Sequence, residues 1–166
     1  MPGGNDVLPL RSNIPAISEY TFRYVDHTFP KRAQDAGGGF VVGGENWGQG
    51  SSREHAAIAP MYLGVKAILA KSYARIHESN LVNFGIVPLR FLNPADYESI
   101  EQGDELEMPD ARAALGAGRP VVVRNKTKKA EYKLAPKLSP RQVEMLLSGG
   151  LTNYLKKKWA AQPARA

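Results

Sequence analysis

The chain has 166 residues, a formal net charge of +6 and no cysteine. This length suits one domain with a single core, and the absence of cysteine excludes disulfides and thiolate ligands for zinc or for an iron–sulfur cluster. No run of about 18 apolar residues predicts a transmembrane helix and no secretory pattern opens the chain, so we expect a cytoplasmic protein that does not bind membranes.

The positive charge is concentrated in the C-terminal third. From Arg119 onward the chain has 12 Lys and Arg but only Glu131 and Glu144, whereas residues 1–118 have 10 basic and 14 acidic residues. The run Lys156 to Lys158 lacks the interleaved aromatic residues on which bases stack. We interpret this region as a solvated basic face, although charge alone attracts phosphate, so RNA binding stays an alternative.

The first predicted elements are a loop, a strand and a helix. Residues 1–32 are rich in Pro and Gly and lack a steady period, which predicts a loop with a short helix around Ile17 to Val25. The apolar run Phe40 to Val42, between glycines, predicts a buried strand. A Gly-rich turn follows, and the apolar spacing of residues 51–64 predicts a helix that ends at Gly64.

Two further strands predict a parallel α/β core. Val65 to Leu69 and Ile86 to Phe91 have the apolar character of buried strands, and Ser72 to Phe84 predicts a helix closed by Gly85. Strands connected by helices of this length run parallel, because the crossover has to return the chain to the same end of the sheet. Ligands of such sheets bind at the carboxyl ends of the strands, where the Gly-rich turn lies.

The rest of the chain predicts a small antiparallel β subregion and a terminal helix. The short strands are predicted at Glu105 to Met108, Pro120 to Asn125 and Ala130 to Leu134. Ser139, Pro140 and Gln142 have the positions of a capping box with a first-turn proline, and a helical apolar stripe continues from Val143 to Leu155. The predicted fold class is therefore α/β, with a parallel βαβ core, in a single domain over residues 1–166.

The segment Gly44 to His55 has the densest chemistry of the sequence. Its glycines let the backbone approach a ligand, the following helix start offers unpaired N–H groups, and Arg53 adds a planar cationic fork. Together they predict an anion site, for which a carboxylate is the most natural ligand and a phosphate fits nearly as well. The alternative needs no ligand, because Ser51 followed three residues later by Glu54 also matches a capping box.

The same segment resembles the signature of the aconitase superfamily's C-terminal domain. The resemblance continues through Ala56, Ala57, Lys71, Ser72, Ala74 to Glu78, Asn80, and Pro94 to Tyr97. It covers most of residues 40–100, and Leu10 to Pro15 also resembles a substrate-facing loop of bacterial aconitase-like enzymes. Residues after 119 match only loosely.

The resemblance implies a swivelling β/β/α domain that closes over a body carrying a four-iron four-sulfur cluster. It implies that Ser51 is the base that removes the carbon-bound proton, and that Ser52, Arg53 and Arg11 hold substrate carboxylates. The expected activity is that of an aconitate hydratase of the tricarboxylic acid cycle, with cluster-bearing domains or a large subunit as partner. The alternative is the small subunit of an isopropylmalate or homoaconitate isomerase.

Two expectations concern what this chain does not contain. The family usually carries a segment of the type I-T-T-D-H-I, with an aspartate near the active site, just before the position of Met1. We therefore expect that an N-terminal segment is missing and that the isolated chain is inactive. His27, His55 and His77 are too scattered to predict a metal site, so we expect any cluster to be bound by the partner.

Overall fold

Three parallel strands make up one half of a six-stranded sheet in the computed structural model, which describes residues 7–50 and 54–161. These strands are β1 (Gly39–Gly43), β2 (Val65–Ala70) and β3 (Val87–Phe91). β2 lies between the other two, with Val41 opposite Ile68 and Ile68 opposite Pro88. Since all three strands run in the same direction, their carboxyl ends lie at the same end of the sheet.

The other half of the sheet is antiparallel. Its strands are β4 (Leu106–Glu107), β5 (Val121–Asn125) and β6 (Ala130–Ala135). The spatial order is β1-β2-β3-β6-β5-β4, and β6 pairs with β3 in the antiparallel direction, so the parallel and antiparallel halves form one mixed sheet. The predicted fold class, a parallel βαβ core with an antiparallel β subregion, is confirmed.

Seven α-helices occur in the described part of the chain. They are α1 (Ile14–Ser18), α2 (Phe29–Asp35), α3 (His55–Tyr62), α4 (Arg75–Asn83), α5 (Ala111–Gly116), α6 (Pro140–Leu147) and α7 (Leu151–Ala160), with short 3₁₀ helices at Leu8–Leu10 and Pro94–Ser99. α3 and α4 make the two crossovers of the parallel half, as predicted. In residues 7–50 and 54–161, no helix is both long and apolar enough to cross a membrane.

Two details of the helix predictions are wrong. The helix expected around Ile17 to Val25 is absent, because α1 ends at Ser18 and the chain then turns through Phe22, whose φ of 58° is left-handed. The terminal apolar stripe forms two helices rather than one, because Gly149 and Gly150 have φ angles of 85° and 104° between them. The capping box of Ser139 at the start of α6 is confirmed.

β2 is buried on both faces and divides the core into two layers. Ala67 and Leu69 belong to a cluster shared with the antiparallel half, and Ile68 and Ala70 to a cluster beneath α3 and α4. Apart from the exposed Lys66 its residues are apolar, as expected of a central parallel strand covered on both sides, and this apolar run identified the strand in the sequence. β1 lies at the free edge of the sheet, so its side chains are less buried than those of β2.

Gly38 and Gly64 bring the turn before β1 against the turn before β2, and their contact supplies a test of the packing. A Cβ on Gly38 would lie 2.1 Å from the Gly64 carbonyl oxygen, whereas a Cβ on the neighbouring Gly37 would meet nothing within 4 Å. Gly37 and Gly38 both have positive φ angles, so alanine at either position destabilises the fold by about 1–2 kcal/mol through backbone strain. Only Gly38→Ala also clashes with backbone atoms, which typically destabilises by about 1–3 kcal/mol more.

We therefore expect Gly38→Ala to lower the free energy of unfolding clearly more than Gly37→Ala. Chemical denaturation of both variants measures the difference. Equal losses would contradict the close approach of the two turns.

Candidate functional site

The Gly-rich turn after β1 is held against the residues that follow β2. The Gly44 carbonyl accepts a hydrogen bond from the Lys71 N–H at 3.1 Å, the Trp47 N–H donates to the Ser72 carbonyl at 2.9 Å, and the Ala74 N–H donates to the Trp47 carbonyl at 2.9 Å. The pairing of the two strands thus continues past their ends. The turn therefore lies at the carboxyl end of the parallel half of the sheet, as the sequence predicts.

Side chains fix the conformation of the same turn. The Ser72 hydroxyl oxygen accepts the Asn46 N–H at 2.7 Å, and the Asn46 side-chain amide donates to the Gln49 side-chain oxygen at 2.7 Å. Asn46 has a φ of 52°, a left-handed conformation that Asn tolerates better than most residues. The Trp47 ring covers Gly43 so closely that a Cβ there would lie 2.1 Å from a ring carbon.

The His77 ring packs against the later part of the turn. Gly48, with a φ of 82°, lies against the His77 imidazole, and a Cβ on Gly48 would be 2.1 Å from two ring carbons. His77 is only 4% exposed, and its Nδ1 has no hydrogen-bond partner in the described part of the chain. Burial lowers the pKa of His77 below its ordinary value, so the ring is neutral at neutral pH.

Three of the four predicted site residues, Ser51, Ser52 and Arg53, lie outside the described residues. The chain resumes at Glu54, which is the N-cap residue of α3 and makes no side-chain capping hydrogen bond. The alternative, a capping box of Ser51 and Glu54, depends on Ser51 and is therefore also outside the described residues. The roles assigned to residues 51–53 remain predictions.

Arg11, the fourth predicted site residue, is brought to the start of α3. The His55 Nε2 donates a hydrogen bond to the Arg11 carbonyl at 2.8 Å, across 44 positions of sequence. Nearby, Val7 and Ile17 of the opening segment pack on Ala59 of α3. The Arg11 residue is exposed. The structure therefore places the Arg11 turn beside the first turn of α3.

Sequence reasoning missed a half-buried polar group at this end of the sheet. Arg90 on β3 forms a 2.5 Å ion pair with Glu78 on α4, and its guanidinium lies 5.1 Å from the centre of the Tyr73 ring. The Tyr73 hydroxyl donates to the carbonyls of Ile68 and Leu89, and burial raises its pKa. A charged residue inside an otherwise apolar strand was the available signal for this group.

Lys71 is another paired cation at the same end of the sheet. Its ammonium lies 2.7 Å from the Glu98 carboxylate and 4.6 Å from the centre of the Tyr97 ring. The hydrogen bond to Glu98 raises the pKa of Lys71. Lys71 and Arg90 each form an ion pair with a carboxylate, which weakens their attraction for an anionic ligand.

A cavity in the described part of the chain lies beside the site. It has a volume of about 560 Å³ and follows the free edge of β1, lined by Phe22, Phe40 and Val42 and bordered by Trp47 and Tyr97. Its lining also includes the carboxylates of Asp26, Glu98, Glu101 and Asp104, which do not match the anion site predicted for the turn. In residues 7–50 and 54–161, no group of three or more His, Asp or Glu side chains is arranged to hold a metal ion.

Comparison with known proteins establishes the family. The sequence model of the aconitase C-terminal domain family matches residues 21–94. The chain is 40% identical over 148 residues to the 3-isopropylmalate dehydratase small subunit 2 of Archaeoglobus fulgidus, a match that covers 89% of this chain and 81% of that protein. It is 39% identical to the methanogen homoaconitase small subunit of Methanocaldococcus jannaschii, over 90% of this chain and 79% of that protein. The chain therefore belongs to the aconitase C-terminal domain family, whose members include hydro-lyases.

A longer relative and a solved structure complete the comparison. The chain is 42% identical to a probable mitochondrial aconitate hydratase of Dictyostelium discoideum, over 72% of this chain but only 16% of that protein, so it spans about a sixth of that length. The crystal structure of 3-isopropylmalate dehydratase from Methanocaldococcus jannaschii matches with a TM-score of 0.73 and 35% identity, covering 89% of this chain and 80% of that one. The fold is thus that of the matched 3-isopropylmalate dehydratase structure.

The burial of His77 predicts a loss of stability in acid. Below the ordinary His pKa of 6.5, the unfolded chain takes up a proton at His77 while the folded chain, whose His77 pKa is lower, does not. The free energy of unfolding should therefore fall as the pH is lowered from 7 to 5, by at most about 1.4 kcal/mol per pH unit for one proton. Denaturation at several pH values measures this slope.

Two glutamine variants identify the group responsible. His77→Gln should reduce the acid slope, whereas His27→Gln, at an exposed histidine, should leave it unchanged. The slopes are compared rather than the absolute stabilities, because His77→Gln also disturbs the contact with Gly48. An acid slope that is the same in His77→Gln and in the wild type would contradict the prediction.

Proposed function

We propose that this chain is the substrate-covering domain of an aconitate hydratase, which interconverts citrate and isocitrate through cis-aconitate together with domains that carry a four-iron four-sulfur cluster. The observation that supports the proposal most directly is the hydrogen bond between His55 and the Arg11 carbonyl. It brings the Arg11 turn to the first residue of α3. A substrate with several carboxylates needs cationic groups from both places.

Within this proposal the chain provides anion binding and a base. Arg11, Ser52 and Arg53 would hold carboxylates, with the guanidinium groups forming paired hydrogen bonds to them. Ser51 would remove the carbon-bound proton. A serine hydroxyl is a very weak base unless its alkoxide is stabilised, and the adjacent Arg53 together with the free N–H groups at the start of α3 would provide that stabilisation.

The cluster would belong to the partner. The chain contains no cysteine to ligate iron, so the residues present do not fit a cluster of their own. The chemistry proposed for this chain is therefore confined to binding the substrate, orienting it and moving one proton. A partner polypeptide or domain is required for the complete reaction.

A second candidate is the small subunit of an isopropylmalate or homoaconitate isomerase. It is favoured by the extent of the matches, because the chain aligns with about four fifths of the two small subunits but with only a sixth of the aconitate hydratase. The exposed Arg11 favours the first candidate, since it offers a binding group for a third carboxylate. RNA binding has less support, because Lys126 and Lys128 of the basic region are already paired with carboxylates.

Reconstitution distinguishes the two enzymatic candidates. The full chain is mixed under anaerobic conditions with a candidate cluster-bearing partner, and the absorbance of cis-aconitate is followed from citrate and from isocitrate, with 3-isopropylmalate in parallel. We expect turnover of citrate and isocitrate, because Arg11 adds a cation for the third carboxylate. Turnover of 3-isopropylmalate alone would overturn the first candidate in favour of the second, and turnover of none would contradict both for that pairing.

Replacing the two neighbouring serines separates their proposed roles in the reconstituted enzyme. Ser51→Ala should lower kcat by about 10²–10⁴-fold, because it removes the base, while leaving KM nearly unchanged. Ser52→Ala should chiefly raise KM, because it removes a hydroxyl that holds a carboxylate in both the ground state and the transition state. A Ser51→Ala enzyme with unchanged kcat would exclude Ser51 as the base.

A further inference from the structure

We propose that His55 is a positioning residue that holds the Arg11 turn against the first turn of α3. This inference rests on the proposed function, because it concerns how a carboxylate-binding arginine is held in place. His55 is the first residue of α3, and its Nε2 lies 2.8 Å from the Arg11 carbonyl oxygen. No catalytic contact is assigned to the imidazole itself.

The chemistry of the partner atom fixes the protonation of the ring. A carbonyl oxygen only accepts hydrogen bonds, so the His55 Nε2 has to carry a hydrogen. The neutral ring is then the Nε2–H tautomer, and a doubly protonated ring would make the same bond. The link to Arg11 is therefore kept in both charge states of His55.

The turn that carries Arg11 is rigid enough to be placed by one hydrogen bond. The Arg11 N–H donates to the Leu8 carbonyl at 3.3 Å, and the Asn13 N–H donates to the Leu10 carbonyl at 2.8 Å. The Asn13 side chain in turn accepts the Ala16 N–H at 3.1 Å and caps α1. Because these bonds join Arg11 to the elements on both sides, moving its carbonyl moves the whole turn.

The hydrogen bond between His55 and Arg11 positions the Arg11 turn, and other contacts hold the fold together. His55 and Ala59 are four residues apart in α3 and so lie on the same helix face. Ala59 is fully buried against Val7 and Ile17, which anchors the opening segment without His55. Loss of the hydrogen bond should therefore shift the Arg11 turn and leave the chain folded, and a shift of about 1 Å in a binding group is enough to weaken substrate binding and orientation.

The kinetic test compares a variant that keeps the donor with one that removes it. In the reconstituted enzyme, His55→Leu should raise KM about five- to tenfold, the effect of losing one hydrogen bond, with a smaller change in kcat. His55→Gln, whose side-chain N–H₂ can reach the same carbonyl, should restore KM. Tyr62→Leu, at an exposed position in the same helix, is the matched control and should leave KM unchanged.

Two results would overturn the proposal. One is an unchanged KM in His55→Leu. The other is a KM raised as much in His55→Gln as in His55→Leu, because the glutamine keeps the hydrogen-bond donor. A merely structural role of the ring would lower the thermal stability of both variants alike and leave KM unchanged.

A second measurement needs no activity and separates this inference from the proposed function. In the full chain, ¹⁵N NMR of the imidazole should show the hydrogen on the His55 Nε2, and amide exchange at Arg11 and Asn13 should accelerate in His55→Leu but not in His55→Gln. If the wild-type enzyme turns over no substrate but these results are obtained, the proposed function fails and the link stands. A neutral ring protonated only at Nδ1, or unchanged exchange in His55→Leu, would refute the link itself.

Discussion

The site depends on the backbone pairing that continues beyond the ends of β1 and β2. Trp47 bonds through both its N–H and its C=O to residues on either side of Tyr73, so the turn after β1 is held like a strand although it contains glycines and a left-handed Asn46. Ser72 adds a side-chain acceptor for the Asn46 N–H. These bonds fix the turn at the carboxyl end of β2.

The turn contains features that lower the stability of the fold. Gly43 and Gly48 leave no room for a Cβ beneath Trp47 and above His77, and the buried His77 Nδ1 has no partner in the described chain. A buried polar atom without a hydrogen bond typically costs about 1–3 kcal/mol. Strained backbone and unsatisfied polar groups concentrate at functional sites, where the required geometry outweighs the loss. Their position next to the predicted anion site agrees with that rule.

The sequence predicted the parallel half of the fold well because its signals are local. Apolar runs bounded by glycine mark β2 and β3, and Gly64 and Gly85 end the helices with positive φ angles. Prediction failed where tertiary contacts decide, as at Gly150, which breaks the terminal helix because its backbone lies against Asn83. The contact of Arg11 with His55 was equally out of reach, since no local pattern joins residues that distant. For the pair of Arg90 and Glu78, the charged residue in an apolar strand was the only signal. The anion site at Arg53 was predicted from the residues themselves, whereas the role of Ser51 as base came from the family resemblance alone.

The distribution of paired and unpaired cations indicates how the chain would complete a catalytic site. Lys71 and Arg90 are neutralised by Glu98 and Glu78, whereas Arg11 is exposed near the start of α3 and forms no ion pair within the described chain. Arg11 lies on an exposed surface and does not line the cavity along the edge of β1. An alkoxide base and carboxylate contacts are weak in water and strengthen when solvent is excluded. A site built on this surface therefore requires a second body to cover it, which is the arrangement that a separate cluster-bearing partner would provide.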